Sequence, residues 1–330
     1  MSALATTHPT LLDITKRLNP KGEIDTIAEL LAQQNEMLSD MVWIEANGTT
    51  GHRTTVRSGL PEPTWRKLNY GVQPTKSTTV QVTDSMGMLE AYAEVDKSLA
   101  DLNGNTAAFR MSEDMAHIEG MNQEFTSTLL YGNEGTQPEA FTGLSPRFND
   151  QSAANGGNII TDAATPDSTD NSSIWLVVWG ANTVHGIYPK GSVGGLKRQD
   201  LGEQTLYDAA GGKYQGYRTH YKWDCGLTVR DWRYVVRINF DLENVIAAGT
   251  TGPVLADLMA KALRRIPNLN MGRPAFYASR STLEMMDLQA MNKSNQAFKT
   301  IEDGQGKFIT TFRGIPVRRC DAILETESGI

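Results

Sequence analysis

The sequence offers little from which to build a catalytic or cofactor centre. It holds two cysteines, Cys225 and Cys320, too few for a disulfide framework or a zinc site of the usual kind, so both read as reduced thiols. The histidines, His8, His52, His117, His185 and His220, stand far apart, and none pairs at the spacing that sets two ligands on one helix face. There is no phosphate loop: Gly306-Lys307 is followed by Phe308, and Ile301 occupies the place of the first glycine. Neither a G-x-G-x-x-G turn opening a helix nor a G-x-S-x-G elbow is present. No catalytic residue, cofactor or metal is therefore expected. The formal net charge of -7 lacks the basic footprint of a dedicated nucleic-acid binder. The longest apolar run, Ile174 to Trp179, is strand-sized and far short of a membrane span. The first residues lack the charged-then-apolar order of a signal peptide. Internal repeats and low-complexity tracts are also missing.

What is present is a long extended arm, residues 49–85. Thr54, Val56 and Ser58 alternate on the way out, and Thr78, Val80, Val82 and Asp84 on the way back, with Gly59, Pro61, Pro63, Gly71 and Pro74 between them as turn and edge residues. An isolated two-stranded ribbon is marginal in water, and Val56, Leu60, Trp65, Leu68, Tyr70, Val72, Val80 and Val82 are the arm's only sizeable apolar groups. Such an arm must lie on its own body or on a neighbouring subunit. Aromatic and arginine side chains dominate interface energies, so Arg53, Arg57, Trp65, Arg66, Lys67, Leu68 and Tyr70 are the candidate intersubunit contacts.

Elsewhere the pattern alternates between helix and strand. Ile24, Ile27, Ala28, Leu31 and Leu38 predict a short amphipathic helix over 23–39, and Met41 to Ile44 a strand. Residues 88–102 alternate weakly through Leu89, Ala91, Ala93 and Val95 and fit either strand or helix; strand up to about Val95, then a turn, is the favoured reading. The clearest helix is 105–131, capped by Asn105 and ended by Gly132, with an expected buried stripe of Ala108, Met111, Met115, Ile118, Met121, Phe125 and Leu129. Gly120 sits inside it at a cost of roughly 1 kcal/mol, which a close-packing neighbour would explain. Its carboxylates, Glu113, Asp114, Glu119 and Glu124, read as a solvated face rather than general acids. The Gly-, Asn- and Thr-rich stretch 132–172 is the best boundary candidate. Beyond it, 174–180 reads as a buried strand, 186–191 as a turn, 217–240 as a pair of strands, 253–266 and 280–291 as helices, and 308–324 as two strands around Gly314. Arg218, Arg230, Arg233 and Arg237 lie among Tyr221, Trp223, Trp232 and Tyr234, but interleaved Asp224, Asp231 and Asp241 favour ion pairs in a sheet or a subunit contact over nucleic acid. The fold class is α+β.

The order of these elements, with QPEAFTGLSPRF (137–148), the stretch from Ile174 to Phe240 and FRGIPVRRCDAIL (312–324), resembles the major capsid proteins of tailed bacteriophages with the Hong Kong 97 fold. The resemblance implies an N-terminal arm (1–45), an extended E-loop (46–86), a peripheral domain with the spine helix (87–158) and an axial domain (159–330) whose last strands, about 308–330, return to the peripheral domain. It implies self-assembly into pentamers and hexamers of an icosahedral head in the host bacterial cytoplasm, with scaffolding, decoration and portal proteins as further partners. Packaged double-stranded DNA would lie on the inner face without sequence specificity. Some members crosslink a loop lysine to a neighbour's asparagine; Lys67 and Lys76 lie in the loop, but no motif supplies the asparagine and acid, so no crosslink is expected. About 45 residues precede the loop, so the resemblance implies that scaffolding is a separate protein or unnecessary. Two other readings remain at this stage: an encapsulin-like compartment, and a small-oligomer α+β enzyme or ligand-binding protein with a lid loop. Visualising the purified chain's particles separates shell from small oligomer.

Overall fold

The computed structural model describes residues 33–101, 106–162, 169–208, 210–248, 254–292, 298–302 and 308–330. Its strands in chain order are β1 (Trp43–Glu45), β2 (Gly51–Gly59), β3 (Thr78–Asp96), β4 (Ile159–Thr161), β5 (Asn171–Trp179), β6 (Val184–Tyr188), β7 (Lys197–Tyr207), β8 (Lys213–Val229), β9 (Val235–Asp241), β10 (Arg273–Ala278), β11 (Phe298–Glu302), β12 (Phe308–Phe312) and β13 (Ile315–Arg319). The described helices longer than one turn are α1 (Thr106–Tyr131), α2 (Leu242–Ala248), α3 (Leu255–Arg265) and α4 (Arg280–Asn292). The chain divides into two compact units: residues 1–34, 88–126 and 195–224 form one, and 35–87, 127–194 and 225–330 the other.

The larger unit is built around β5, which is buried along its whole length. It pairs antiparallel with β10 on one side and with β9 on the other. β10 continues through a parallel pairing to β13, which leads by antiparallel steps to β12 and β11. Alternation along β5 explains why the run 174–179 is apolar throughout, since both faces of the strand are covered. Ile174, Leu176 and Val178 join the core with Leu258, Met259 and Ala262 of α3 and Met286 of α4. The opposite residues meet other partners: Trp175 lies edge-on to Phe148, and the indole of Trp179 donates to the Tyr277 hydroxyl at 2.8 Å, which donates to Asp40 at 2.7 Å. The turn between β12 and β13 places Arg313 and Gly314 at φ 51° and 86°, the left-handed pair that a tight hairpin requires.

A buried polar cluster ties the last residues to this unit. Arg237 Nη2 and Glu327 Oε2 are 2.8 Å apart, with both side chains about 4% exposed. Asn239 and Ser173 also donate to Glu327 Oε2, and Tyr131 donates to Oε1 at 2.5 Å. Backbone bonds between Asn171 and Glu327 complete the attachment.

In the smaller unit β7 and β8 form an antiparallel hairpin, with a register shift between Asp200 and Gly202, and β3 lies beside β8. Helix α1 packs here through Phe109, which meets Val95 and Ala100, Met121, which meets Ala93 and Tyr221, and Phe125, stacked on Trp223 at 4.4 Å. Between these contacts the face is ionic: Arg198 holds Asp114 at 2.8 Å and Arg110 holds Asp200 at 2.6 Å.

Several expectations change. Met121, Phe125 and Leu129 of the expected stripe are buried, but Met111, Met115 and Ile118 are 65%, 59% and 39% exposed. Asp114, expected on the solvated face, is buried. The exposed and the buried members of the expected stripe lie on one side of the helix, covered toward its C-terminal end and open toward its N-terminal half. Residues 184–188, overlapping an expected turn, form β6, because Gly186 lets Met41 and Trp43 lie against it while β1 and β8 take its backbone. Gly132 ends α1, yet not as a left-handed cap: an added Cβ would stand 2.5 Å from the Phe141 and Thr128 carbonyls. Over its described part, the helix expected at 23–39 is confined to Met37–Asp40. Its residues up to 32, and the Asn105 cap, lie outside the described residues. β7, β10 and β11 had no signal strong enough to be predicted.

Candidate assembly surface

The extended arm is a hairpin of β2 and the first part of β3. They pair from Gly51 with Ser85 up to Gly59 with Thr78, with an irregularity between Arg57 and Gly59. Beyond the pairing, residues 60–77 carry no strand or helix. Asn69 takes φ 65°, and the Tyr70 amide donates to the Lys67 carbonyl at 3.2 Å, so a single turn shapes the tip.

The base is anchored and the tip is not. The Asn47 side chain acts as an extra strand edge, donating to the Arg53 carbonyl at 2.6 Å and accepting from the Arg53 amide at 2.9 Å. On the return strand, buried Asp84 holds Arg147 Nη1 at 2.8 Å, and the same guanidinium donates to the Thr142 carbonyl at 3.1 Å. Ser85 donates to Glu134 at 2.8 Å. At Gly87 a Cβ would lie 3.0 Å from the Glu139 carbonyl, so glycine allows the strand to press on the 139–141 backbone. Sequence reading missed Asn47, Asp84 and Arg147; the turn of Ser145–Arg147 was visible only as Pro-containing punctuation.

Two histidines sit at the same base. The His52 and His185 rings are edge-on at 5.9 Å, and His185 is buried. Burial, with the His52 ring adding to it, pushes His185 down to about 4. Burial also lowers His52. Both are neutral at pH 7.

From residue 60 to residue 83 every residue is exposed. Trp65 is fully exposed, and Leu60, Leu68 and Tyr70 are 75%, 86% and 70% exposed. Arg53 and Arg57 share one exposed face of β2, while Trp65, Arg66, Lys67, Leu68 and Tyr70 lie together in the unpaired segment. Among the described residues, none of these seven makes an ion pair or ring contact in the subunit. Single exposed apolar residues are ordinary; here Leu60, Trp65, Leu68, Tyr70 and Val72 lie exposed along one unpaired segment.

The arginine and aromatic stretch behaves differently. Arg218 pairs with Glu94, Arg233 with Asp231 and Arg237 with Glu327, and Arg230 donates to Asn182. These side chains are engaged in the sheet. Among the described residues no cluster of three His, Cys, Asp or Glu is placed to hold a metal, and no helix is long and apolar enough to cross a membrane.

The family model for the major capsid protein GP7 matches residues 19–330. The chain belongs to this family of major capsid proteins. A chain of the bacteriophage Epsilon15 structure is 40% identical, with a TM-score of 0.76, covering 100% of this chain and 99% of that one. The bacteriophage JBD30 capsid matches over 97% of this chain and 96% of that one at 10% identity, with a TM-score of 0.50, a likeness of fold alone. A SrpI encapsulin complex from Synechococcus elongatus PCC 7942 reaches a TM-score of 0.46 at 11% identity, over 66% of this chain and 91% of that one, too low to carry an argument. No curated protein sequence matches. The capsid protein thus has the Hong Kong 97-type α+β fold of tailed-phage heads. It is a structural component of a phage virion.

Proposed function

We propose that this capsid protein builds an icosahedral head around double-stranded DNA from pentamers and hexamers, assembled in the host bacterial cytoplasm, and that it does so without catalysis. The β2–β3 arm of each subunit lies on a neighbour through Arg53, Arg57, Trp65, Arg66, Lys67, Leu68 and Tyr70. The observation carrying this reading is the arm's anchored base and wholly exposed tip, since folding alone does not repay ordering so many solvent-facing apolar groups. The division into N-terminal arm, E-loop, peripheral and axial domains belongs to the same reading. Scaffolding, decoration and portal proteins, and DNA on the inner face, are its further partners. Heterologous contacts close into rings when the rotation permits, so one arm contact repeated around each ring serves the whole shell.

The test is a variant with Trp65→Ala and Arg66→Ala. Removing an interface anchor of this kind costs about 2 kcal/mol or more, multiplied over every copy in a shell. The isolated subunit keeps its circular dichroism and melting temperature while the yield of particles by electron microscopy collapses. A destabilised subunit that still forms normal particles shows that the arm serves its own chain.

A further inference from the structure

One side of α3 gathers positive charge that the subunit leaves without a partner. The helix buries Leu255, Leu258, Met259 and Ala262, while Lys261, Arg264 and Arg265 are exposed. Arg313 joins them from the turn between β12 and β13, its guanidinium over the Phe312 ring at 5.5 Å. With Asp257 and Ala260, these cations line an open groove of about 480 Å³. Among the described residues none of the four takes a carboxylate, although Arg218, Arg233 and Arg237 of the same chain all do. The whole chain carries a formal charge of -7, so an unpaired cluster of this sign runs against its average.

Folding does not account for the cluster. Lys261 stands three and four residues before Arg264 and Arg265, and like charges at those spacings weaken a helix. The dipole of α3 draws cations to its last turn, which explains Arg264 and Arg265. It explains neither Lys261, a turn earlier, nor Arg313, from a different element. The groove is equally poor as a protein contact. The core of such an interface is apolar and often aromatic, and here Ala260 alone is apolar among the described lining residues. Cations without apolar neighbours are the composition of a phosphate-backbone contact, which draws on arginine and lysine and carries no sequence information.

We propose that this groove holds the phosphate backbone of the packaged duplex, so that the α3 side of the larger unit is turned toward the interior of the head. The proposal rests on the reading of this chain as a shell around double-stranded DNA, and adds to it the surface and the residues that meet the DNA.

Two measurements on the unassembled full-length subunit test this. The first is fluorescence anisotropy with a short labelled duplex of random sequence. Between about 50 and 200 mM salt, log affinity falls against log salt with a slope of about -3, the value for three to four phosphate contacts. Lys261→Gln with Arg264→Gln, Arg265→Gln and Arg313→Gln lowers the affinity about tenfold or more at the low-salt end and flattens the slope toward zero. Arg53→Gln with Arg57→Gln, on the arm, changes neither. Equal affinity and slope in the unaltered protein and the groove variant, or no binding by the unaltered protein at the low-salt end, overturns the proposal. In the second measurement, acetic anhydride labels Lys261 several-fold more slowly once the duplex is added, while exposed Lys190 keeps its rate. Unchanged labelling of Lys261 refutes the site without any variant. Particle yield by electron microscopy separates this from the shell reading, since the groove variant assembles as the unaltered protein does. A groove variant that binds DNA normally but forms no particles shows that an acidic surface of a neighbouring copy occupies the groove, and refutes the DNA contact. Failure of the unaltered protein to form particles removes the shell reading, while the two measurements still decide the groove.

Discussion

The Glu327 cluster invites the sharpest perturbation, because four donors converge on one carboxylate. Arg237, Asn239 and Ser173 address Oε2 and Tyr131 addresses Oε1. A carboxylate is the side chain whose two oxygens only accept. Glu327→Ala leaves the Arg237 guanidinium, about 4% exposed, buried without its counter-charge, and breaking such a pair costs about 3–5 kcal/mol. For cooperative unfolding of all 330 residues, with an entropy of roughly 2.1 cal/mol/K per residue, that loss lowers the melting temperature by about 4–7 °C. Glu327→Gln loses less, since the amide keeps one acceptor but turns its NH₂ toward a donor. Replacing the pair together, Arg237→Met with Glu327→Leu, costs less than Glu327→Leu alone, because no unpaired charge is left behind. Differential scanning calorimetry of the unassembled subunit reads these four and Arg237→Met alone, which completes the cycle. A shift under about 1 °C for Glu327→Ala, or a double variant as damaged as the sum of the singles, would mean that the cluster is solvated and the argument from its burial fails.

Other expectations follow from the same contacts. Phe125→Ala removes a ring that is 1% exposed and stacked on Trp223, and costs about 3–5 kcal/mol in denaturant titrations of the subunit; an unchanged midpoint shows that α1 turns a different face inward. Asp84→Asn takes the charge from the Arg147 bond, worth about 2 kcal/mol, and speeds amide exchange in β2 and the start of β3; equal protection in both proteins removes Asp84 as the anchor. His185 gives a pH dependence. Its folded value of about 4 lies below the ordinary 6.5, so as pH falls from 6.5 toward 4 the unfolded chain binds a proton that the native site refuses. The associated stability, about 3 kcal/mol, is complete above pH 6.5 and lost across that window, with His52 acting in the same sense. His185→Leu flattens the profile between pH 6.5 and 5, and a wild-type melting temperature constant over that range contradicts the assignment.

Much of the fold was legible because it is written in local periods. The unbroken apolar run 174–179 announced a strand covered on both faces, and the structure buries β5 throughout. Alternation with Gly and Pro between its halves announced the arm, and few apolar groups announced that its tip would lie bare. The interleaved acids at 224–241 announced ion pairs, but only Arg233 takes one of them, Asp231, while Arg218 and Arg237 pair with Glu94 and Glu327 from distant segments. β7 escaped notice because its exposed residues alternate with nothing apolar, and β6 because Gly186 and the nearby Pro189 look like a turn until β1 and β8 are laid beside it.

The sequence by itself determined that α1 exists and where it stops, since helix period, length and the glycine at 132 are local properties. Only the tertiary structure decided how far along α1 its apolar stripe is covered. Met111, Met115 and Ile118 continue the stripe of Phe125 and Leu129, yet they stay exposed, while Asp114 is buried by Arg198, which lies 84 residues away. The same holds at the base of the arm, where Asp84 finds Arg147 across 63 residues, and at Glu327, which finds Arg237 across 90. A chain records the periodicity of each segment in its own neighbours, but the partner of a buried charge is set by the packing of distant segments, and no local pattern encodes it.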